Sequence, residues 1–82
     1  MQTFDVKVSV FRQGERQETV VPVDETAFLN GGWRTLALCA AAVKWGCSFM
    51  EISTAPRFGI RQEDRQRIQS LIRDRQEATH DS

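Results

Sequence analysis

The chain has 82 residues and a mass of 9.4 kDa, enough for one small domain with a single hydrophobic core. Hydrophobic residues make up 40% of the sequence and charged residues 27%, and eleven basic side chains balance eleven acidic ones. This balance is typical of a globular domain, and it excludes proteins that bind nucleic acid or mimic a polyanion through bulk charge.

The sequence gives two indications of cellular location. It has no run of about 18 apolar residues, and residues 1–10 lack a basic leader and an apolar signal core, so we expect a cytoplasmic protein. On a helix ending near Gly46, Cys39 and Cys47 would lie roughly 12 Å apart at about 1.5 Å per residue, whereas a disulfide needs less than about 7 Å. We therefore expect two small, buried, reduced thiols rather than a redox or metal pair.

The first elements read as a β-hairpin. Alternation of apolar and polar residues predicts a strand from Phe4 to Phe11. A polar segment over residues 12–17 follows, in which Gly14 can take the positive φ of a turn. The return strand covers residues 18–23. Because Pro22 has no amide hydrogen to donate, this strand is predicted to be an edge, or its pairing ends there.

The middle of the chain predicts a helix. Asp24 is a candidate N-cap, and the glycine pair after Asn30 interrupts the pattern, so we expect a short turn through Phe28. An alanine-rich helix then runs from about Gly32 to Trp45, and Gly46 suits the position just past its end.

The remaining segments complete the predicted fold. Residues 48–54 are predicted as a third strand, residues 61–78 as a charged helix, and residues 79–82 as a flexible tail. The prediction is a single α+β domain over residues 1–78 with element order ββαβα. In it, a three-stranded antiparallel sheet packs on the central helix, with the C-terminal helix at its side.

The central helix is apolar on two opposite sides. The stripe predicted to cover the sheet consists of Leu29, Trp33, Leu36, Ala40 and Val43. The opposite side, with Leu38, Ala41 and Trp45, then needs a second cover. The C-terminal helix offers one through Ile60, Ile68, Leu71 and Ile72. Part of that surface could equally remain open for a partner protein or a second copy.

The outer face of the predicted sheet could also present apolar residues to a partner, over a smaller area. It would carry Phe11, Val20 and Phe49. Single exposed apolar residues are ordinary, but three that cluster would mark a contact site. The strand order decides between these alternatives, and the sequence does not contain it.

Chemical motifs are largely lacking. His80 is the only histidine, so a Cys–His nucleophilic pair would depend on a residue in the predicted tail, and the spacing does not fit a zinc site. The glycines at 31 and 32 precede a helix without the continuation of a phosphate-binding motif. We therefore expect no enzyme activity, no catalytic residue, no cofactor and no metal.

Arginine is the compositional oddity. Residues 57–77 contain six arginines and four acidic residues. Glu63 and Arg67 are spaced as an i,i+4 ion pair, which is typical of a solvated helix face. Arg61 and Arg65 share the other flank, which could instead bind a protein or phosphate groups. No aromatic residue interleaves with these arginines, so base stacking has no support.

The hairpin over residues 4–14, the helix over residues 36–46 and the segment Phe49-Met50-Glu51-Ile52 together resemble some small phage-encoded anti-CRISPR proteins. These are single-domain, non-enzymatic inhibitors that dock on a nuclease or surveillance complex. The resemblance implies a ββαβ pattern over roughly residues 4–54 and no particular functional residue.

The function expected from the sequence is stoichiometric protein binding, as an inhibitor or adaptor of phage or mobile-element origin that docks on a host protein complex. The predicted contact residues are Trp45, Arg61 and Arg65, followed by Phe11 and Phe49 on the outer sheet face. The alternative is an accessory protein that binds nucleic acid through Arg57, Arg61, Arg65 and Arg73. No membrane contact is expected, and a homodimer remains open.

Overall fold

A computed structural model describes the backbone of residues 2–80 and the side chains of residues 2–76. A three-stranded antiparallel sheet has helices packed against one face, which confirms the predicted α+β fold. The strands are β1 (Thr3–Arg12), β2 (Glu15–Asp24) and β3 (Arg57–Ile60). The helices are α1 (Glu25–Asn30), α2 (Trp33–Trp45), α3 (Phe49–Ile52) and α4 (Gln62–His80).

Strands β1 and β2 form a tight hairpin. Arg12 pairs with Glu15, so the turn consists of Gln13 and Gly14 alone. Both have positive φ, 54° and 77°, as the two-residue type I′ turn requires at both of its central positions. The turn is shorter than the predicted polar segment over residues 12–17, because β1 and β2 remain paired up to Arg12 and Glu15.

The strand order is β2-β1-β3, so β1 is central and β2 is an edge strand. This confirms the expectation drawn from Pro22, which lies opposite Asp5 while pairing continues to the end of β2. The inner face of β1 is fully buried and consists of Phe4, Val6, Val8 and Val10. These side chains and those of Val21 and Val23 form the sheet's half of the core.

The third strand was predicted in the wrong place. Strand β3 lies at Arg57–Ile60, whereas the predicted segment contains the short helix α3. Within α3, Ile52 is 2% exposed and Met50 is 78% exposed. A short apolar run fits either a helix or a strand, so its alternation did not decide between them. Phe49 consequently lies on a helix and not on the outer face of the sheet.

Helix α1 begins at the predicted cap. The Asp24 carboxylate accepts a hydrogen bond from the backbone amide of Ala27 at 3.2 Å, as an N-cap does. A six-residue helix replaces the expected short turn, and Gly31, with φ 85°, ends it in the left-handed region. Phe28 of α1 is buried with its ring edge-on to Phe4 at 5.6 Å.

The predicted orientation of α2 is wrong. The side that packs on the sheet is the alanine-rich one, where the buried residues are Ala37, Leu38, Ala41 and Ala42. Leu36 and Val43, predicted to face the sheet, are 49% and 82% exposed. Small alanines let the helix lie close to the valine-rich sheet, and Trp45, on the same side, is half-buried against the core.

Helix α4 packs mainly against α1 and does not cover the outer side of α2. Its apolar side consists of Ile68, which is 7% exposed, and the half-buried Leu71 and Ile72. The longest dimension is 50 Å and the radius of gyration 14.4 Å, against about 12 Å for a compact chain of this length. The helix passes the predicted boundary at residue 78 and ends at His80; residues 81–82 of the predicted tail lie outside the described residues.

Candidate functional site

The structure separates the predicted contact residues. Arg61 directly follows β3, and Arg65 lies near the start of α4, in a hollow that it shares with Trp33. Trp33 and Trp45 are the first and last of the thirteen residues of α2, so they lie about 18 Å apart at about 1.5 Å per residue. The tryptophan beside Arg65 is therefore Trp33 and not Trp45.

Trp33 is held by two aromatic neighbours. Its ring stacks on Phe28 of α1 with centroids 5.2 Å apart, and Phe58 of β3 meets it edge-on at 5.6 Å. Offset-stacked and edge-to-face pairs are the favoured aromatic geometries. This cluster fixes the start of α2 against the edge strand β3 and gives the hollow a rigid apolar floor.

Two guanidinium groups border the same hollow. The guanidinium carbon of Arg34 lies 4.3 Å from the centroid of the Trp33 ring, in cation–π contact. Arg65 lines the hollow from α4, together with Arg34 and Ile60. One guanidinium thus lies over the Trp33 ring, and a second lines the same hollow.

The other side of β3 is also basic. Alternation along the strand places Phe58 and Ile60 toward the helices, so Arg57 and Gly59 face outward. Arg61 lines a shallow surface there beside Asp5, Lys7 and Gly59. We call three of the arginines around β3 the arginine corner: Arg34, Arg61 and Arg65. Arg57 lies at the other end of the strand, four residues or about 13 Å from Arg61 at roughly 3.3 Å per residue, and is not part of it. None of the three forms an ion pair with a side chain that the structure describes.

Neighbouring charges do not neutralise the corner. Lys7 is paired with Glu18 at 3.0 Å, and its hydrogen bond lowers the pKa of the Glu18 carboxyl below the ordinary value. The predicted pair of Glu63 with Arg67 is not formed among the described side chains. Asp5 lines the same surface as Arg61, but no described acidic side chain forms an ion pair with an arginine of the corner.

The exposed apolar residues of the outer sheet face do not cluster. Phe11 is 72% exposed opposite Arg16, and Val20 is 50% exposed opposite Lys7. Four residues of β1 separate these two positions, or about 13 Å at roughly 3.4 Å per residue. With Phe49 placed on α3, the contact patch predicted for this face is not assembled there. Contacts of a partner with Phe11 or Phe49 stay predictions.

Helix α2 has an open apolar side. We call this set the outer stripe: Leu36, Cys39 and Val43, which are exposed, whereas Ala40 beside them is half-buried and packs against the core. The side chains of residues three and four apart are neighbours on a helix, so the three form one continuous row. Cys39 is exposed and Cys47 half-buried, and both are free thiols. The expectation of two buried thiols is thus wrong for Cys39.

Arg12 links the hairpin to α3 rather than forming a site. Its side chain is 15% exposed, it donates a hydrogen bond to the Gln17 amide oxygen at 3.1 Å, and it lies 3.9 Å from the Glu51 carboxylate. Its Nε atom is buried without a hydrogen-bond partner in the structure. The arrangement ties α3 to the end of β1.

No metal or membrane feature adds to these surfaces. Within the described part of the chain, no group of three or more His, Cys, Asp or Glu side chains could hold a metal ion. No described helix combines the length and apolar character needed to span a bilayer. The side chain of His80 lies outside the described residues.

Comparison with known proteins gives no indication of function. The arginine corner and the outer stripe are therefore the surfaces from which a function can be inferred. No family model, no curated protein and no solved structure matches the chain. The sequence pattern did not single out Trp33, Arg34 and Phe58 as a site. The sequence shows that Trp33 and Arg34 are adjacent at the start of a helix. That they lie close to Arg65 depends on the position of β3.

Proposed function

We propose that the chain is a small non-enzymatic protein that binds stoichiometrically to an acidic surface of a partner protein through the arginine corner. The observation that carries the proposal is the grouping of three arginines, none ion-paired to a described side chain, at one end of a short strand. Next to them lies the apolar floor formed by Trp33, Phe58 and Ile60.

The chemistry of the corner favours protein over other ligands. Arginine and tryptophan are enriched among residues that dominate protein interfaces. A guanidinium binds a carboxylate through two parallel hydrogen bonds, which favours Asp and Glu on a partner. Stacking on Trp33 holds Arg34 in place before binding, so less side-chain freedom is lost when a partner docks.

Nucleic acid is the weaker alternative. The Trp33 ring is in contact with Phe28, Phe58 and Arg34, so its faces are already engaged and offer no stacking platform for a base. The formal net charge is zero, whereas domains that bind nucleic acid are usually strongly basic. The phosphate contacts predicted for Arg57, Arg61, Arg65 and Arg73 therefore become an outcome of the test.

The anti-CRISPR resemblance supplies the proposed biological role, inhibition of a host defence complex by a phage or mobile-element protein. Its support is the small size and the hairpin followed by an alanine-rich helix. The segment Phe49–Ile52, taken as the last strand of the ββαβ pattern in the resemblance, is helix α3, and three helices separate the hairpin from β3 at Arg57–Ile60. That part of the resemblance therefore gives the proposal no support.

The test begins with capture of the partner from host lysate and its identification by mass spectrometry, followed by calorimetry with the purified partner. The double variant Arg34→Ala/Arg65→Ala should weaken binding more than tenfold, or about 1.4 kcal/mol. The control Arg16→Ala/Arg67→Ala removes the same charge from exposed sites outside the corner and should change affinity less than about threefold, as peripheral charges do. Circular dichroism should show native folds for both.

Two results would contradict the proposal. Equal losses in the two double variants would mean that the corner has no special role. A captured nucleic acid whose affinity falls with salt with a slope near −0.9 per phosphate contact would establish the alternative. The double variant Arg61→Ala/Arg65→Ala, at the two contact residues expected from the sequence, should also spare the fold, because exposed charges contribute about 0–1 kcal/mol.

A further inference from the structure

We propose that β3 binds a short, extended, acidic segment of the partner protein as a fourth strand of the sheet. The inference rests on the proposed protein-binding function and specifies the form that the partner takes at this site. The segment lies along the open edge of β3, where backbone hydrogen bonds hold it and its side chains alternate between the two faces of the sheet.

The edge of β3 is not covered by the rest of the fold. In the strand order β2-β1-β3 it lies at the end of the sheet, and among the described elements it packs extensively only against β1. Phe58 and Ile60 face the helices but are only half-buried, whereas Val8 and Val6, with which they pair, are 0% exposed. An edge strand presents unpaired backbone N–H and C=O groups, which an added strand can satisfy.

The charge along this edge selects an acidic occupant. Residues 54–62 contain two arginines, Arg57 and Arg61, and no acidic residue. Both arginines are exposed, and neither is ion-paired to a described side chain. Asp5 borders Arg61 without forming an ion pair with it, so both guanidinium groups can bind carboxylates of a partner.

The opposite edge of the sheet lacks these properties. Strand β2 carries Glu15 and Glu18 beside Arg16, so its charges are mixed, and Glu18 is already paired with a lysine of β1. Pro22 also leaves β2 without one backbone N–H group. Strand addition by an acidic segment is therefore favoured at β3 and not at β2.

The spacing of the two arginines fits an extended segment. Arg57 and Arg61 are four residues, or about 13 Å, apart at roughly 3.3 Å per residue. In an added strand, the first and fifth of five residues have the same spacing and lie on the same face, so acidic residues at these positions meet both arginines. The second and fourth side chains then lie on the side of Phe58 and Ile60, beside the hollow that contains Trp33.

A helical partner does not satisfy this edge, because the backbone groups in a helix are hydrogen-bonded within the helix itself. The two remaining arginines of the corner, Arg34 and Arg65, line that hollow and stay available for carboxylates elsewhere on the partner. The loss expected from replacing these two arginines therefore tests the proposed function, while Arg57 tests the added strand.

The first test uses a peptide of sequence Glu-Leu-Glu-Leu-Glu with an N-terminal fluorescein and a C-terminal amide. Titration with the full chain should raise its fluorescence anisotropy to saturation. Two N-methylated forms carry the same charge, one methylated at both leucines and the other at the last two glutamates. Alternate residues of a strand direct their N–H groups to opposite edges. One form should therefore lose more than about tenfold in affinity, and the other should stay within about threefold of the parent peptide.

The second test changes the chain. Arg57→Glu should weaken binding of the parent peptide more than about tenfold, because it reverses a charge that faces the peptide. The control Arg16→Glu makes the same change at an exposed position on the opposite edge of the sheet and should alter affinity less than about threefold. Circular dichroism should show native folds for both variants.

The outcomes separate this inference from the proposed function. Absence of saturable binding up to about 1 mM chain would overturn the added strand. So would equal affinities of the two N-methylated peptides, or equal effects of Arg57→Glu and Arg16→Glu. In each of these cases the proposed function still stands if calorimetry with the purified partner shows the loss expected for Arg34→Ala/Arg65→Ala.

Discussion

Replacing the two leucines of α2 separately tests which side of this helix forms the core. Leu38 is 4% exposed and lies among the residues that pack against the sheet. Leu38→Ala should cost about 2–5 kcal/mol, because it removes buried methyl groups and leaves a cavity. Complete burial of a leucine is worth about 1.5–3 kcal/mol, and Leu36 is 49% exposed. Leu36→Ala should thus cost about 1 kcal/mol and leave no enclosed cavity.

These two magnitudes are well separated on the scale of the whole domain. At roughly 0.05–0.15 kcal/mol per residue, a chain of this length has a total stability of about 4–12 kcal/mol. Each kcal/mol shifts the melting temperature of such a domain by about 4–8 °C. Urea unfolding followed by circular dichroism should therefore show a much larger loss for Leu38→Ala than for Leu36→Ala. An equal or larger loss for Leu36→Ala would refute the described orientation of α2.

Two further predictions concern the hairpin and the start of α1. Asp24→Ala should lower the free energy of unfolding by about 1 kcal/mol, because the amide of Ala27 loses its N-cap acceptor. Asp24→Asn should keep most of this stabilisation, since an asparagine side chain can also accept the hydrogen bond. Equal losses in the two variants, measured by urea unfolding, would argue against a cap. The pKa of Glu18 is lowered by its hydrogen bond from Lys7, so the stabilisation is present above the ordinary Glu pKa and is lost as the pH falls through the lowered value. NMR titration should show the pKa of Glu18 rising toward the ordinary value in Lys7→Met, and an unchanged pKa would contradict the pairing.

The hairpin and its cap could be predicted because their signals are local. The alternation from Phe4 to Val10 matches a strand with one buried face, and Gly14 and Pro22 mark a turn and an edge. Gly46 ends α2 as predicted, with φ 66°, and the backbone amides of Gly46 and Cys47 donate hydrogen bonds to the carbonyl oxygens of Val43 and Ala42. In these places one residue type satisfies a backbone requirement that few others can.

The orientation of α2 could not be read from its own residues. Both sides of the helix are apolar, and the wheel only shows that they are opposite. The side of α2 with Ala37 and Ala41 packs on the sheet, because small residues allow the helix to approach closely. Hydrophobicity alone favoured the side with Leu36 and Val43. That choice depends on the shape of the facing sheet, which is a tertiary property.

The arginine corner could not be predicted for a similar reason, because it depends on tertiary packing, here the position of β3. Placing the third strand at residues 48–54 left Phe58 between predicted elements and assigned Ile60 to the C-terminal helix, so no partner for Trp33 was visible. Once β3 lies at Arg57–Ile60 beside β1, its two sides bring Arg34, Arg61 and Arg65 to one corner. The arginines were recognised from composition, but their common location follows from strand pairing.

The most direct test of the proposed docking site is hydrogen–deuterium exchange of the chain with and without its captured partner. If the arginine corner is the contact surface, backbone amide exchange should slow in β3, at the start of α2 and in the first turns of α4. Exchange at Phe49–Ile52 and in the hairpin turn should be unchanged. Slowing confined to the hairpin or to α3, with β3 unaffected, would contradict the proposal.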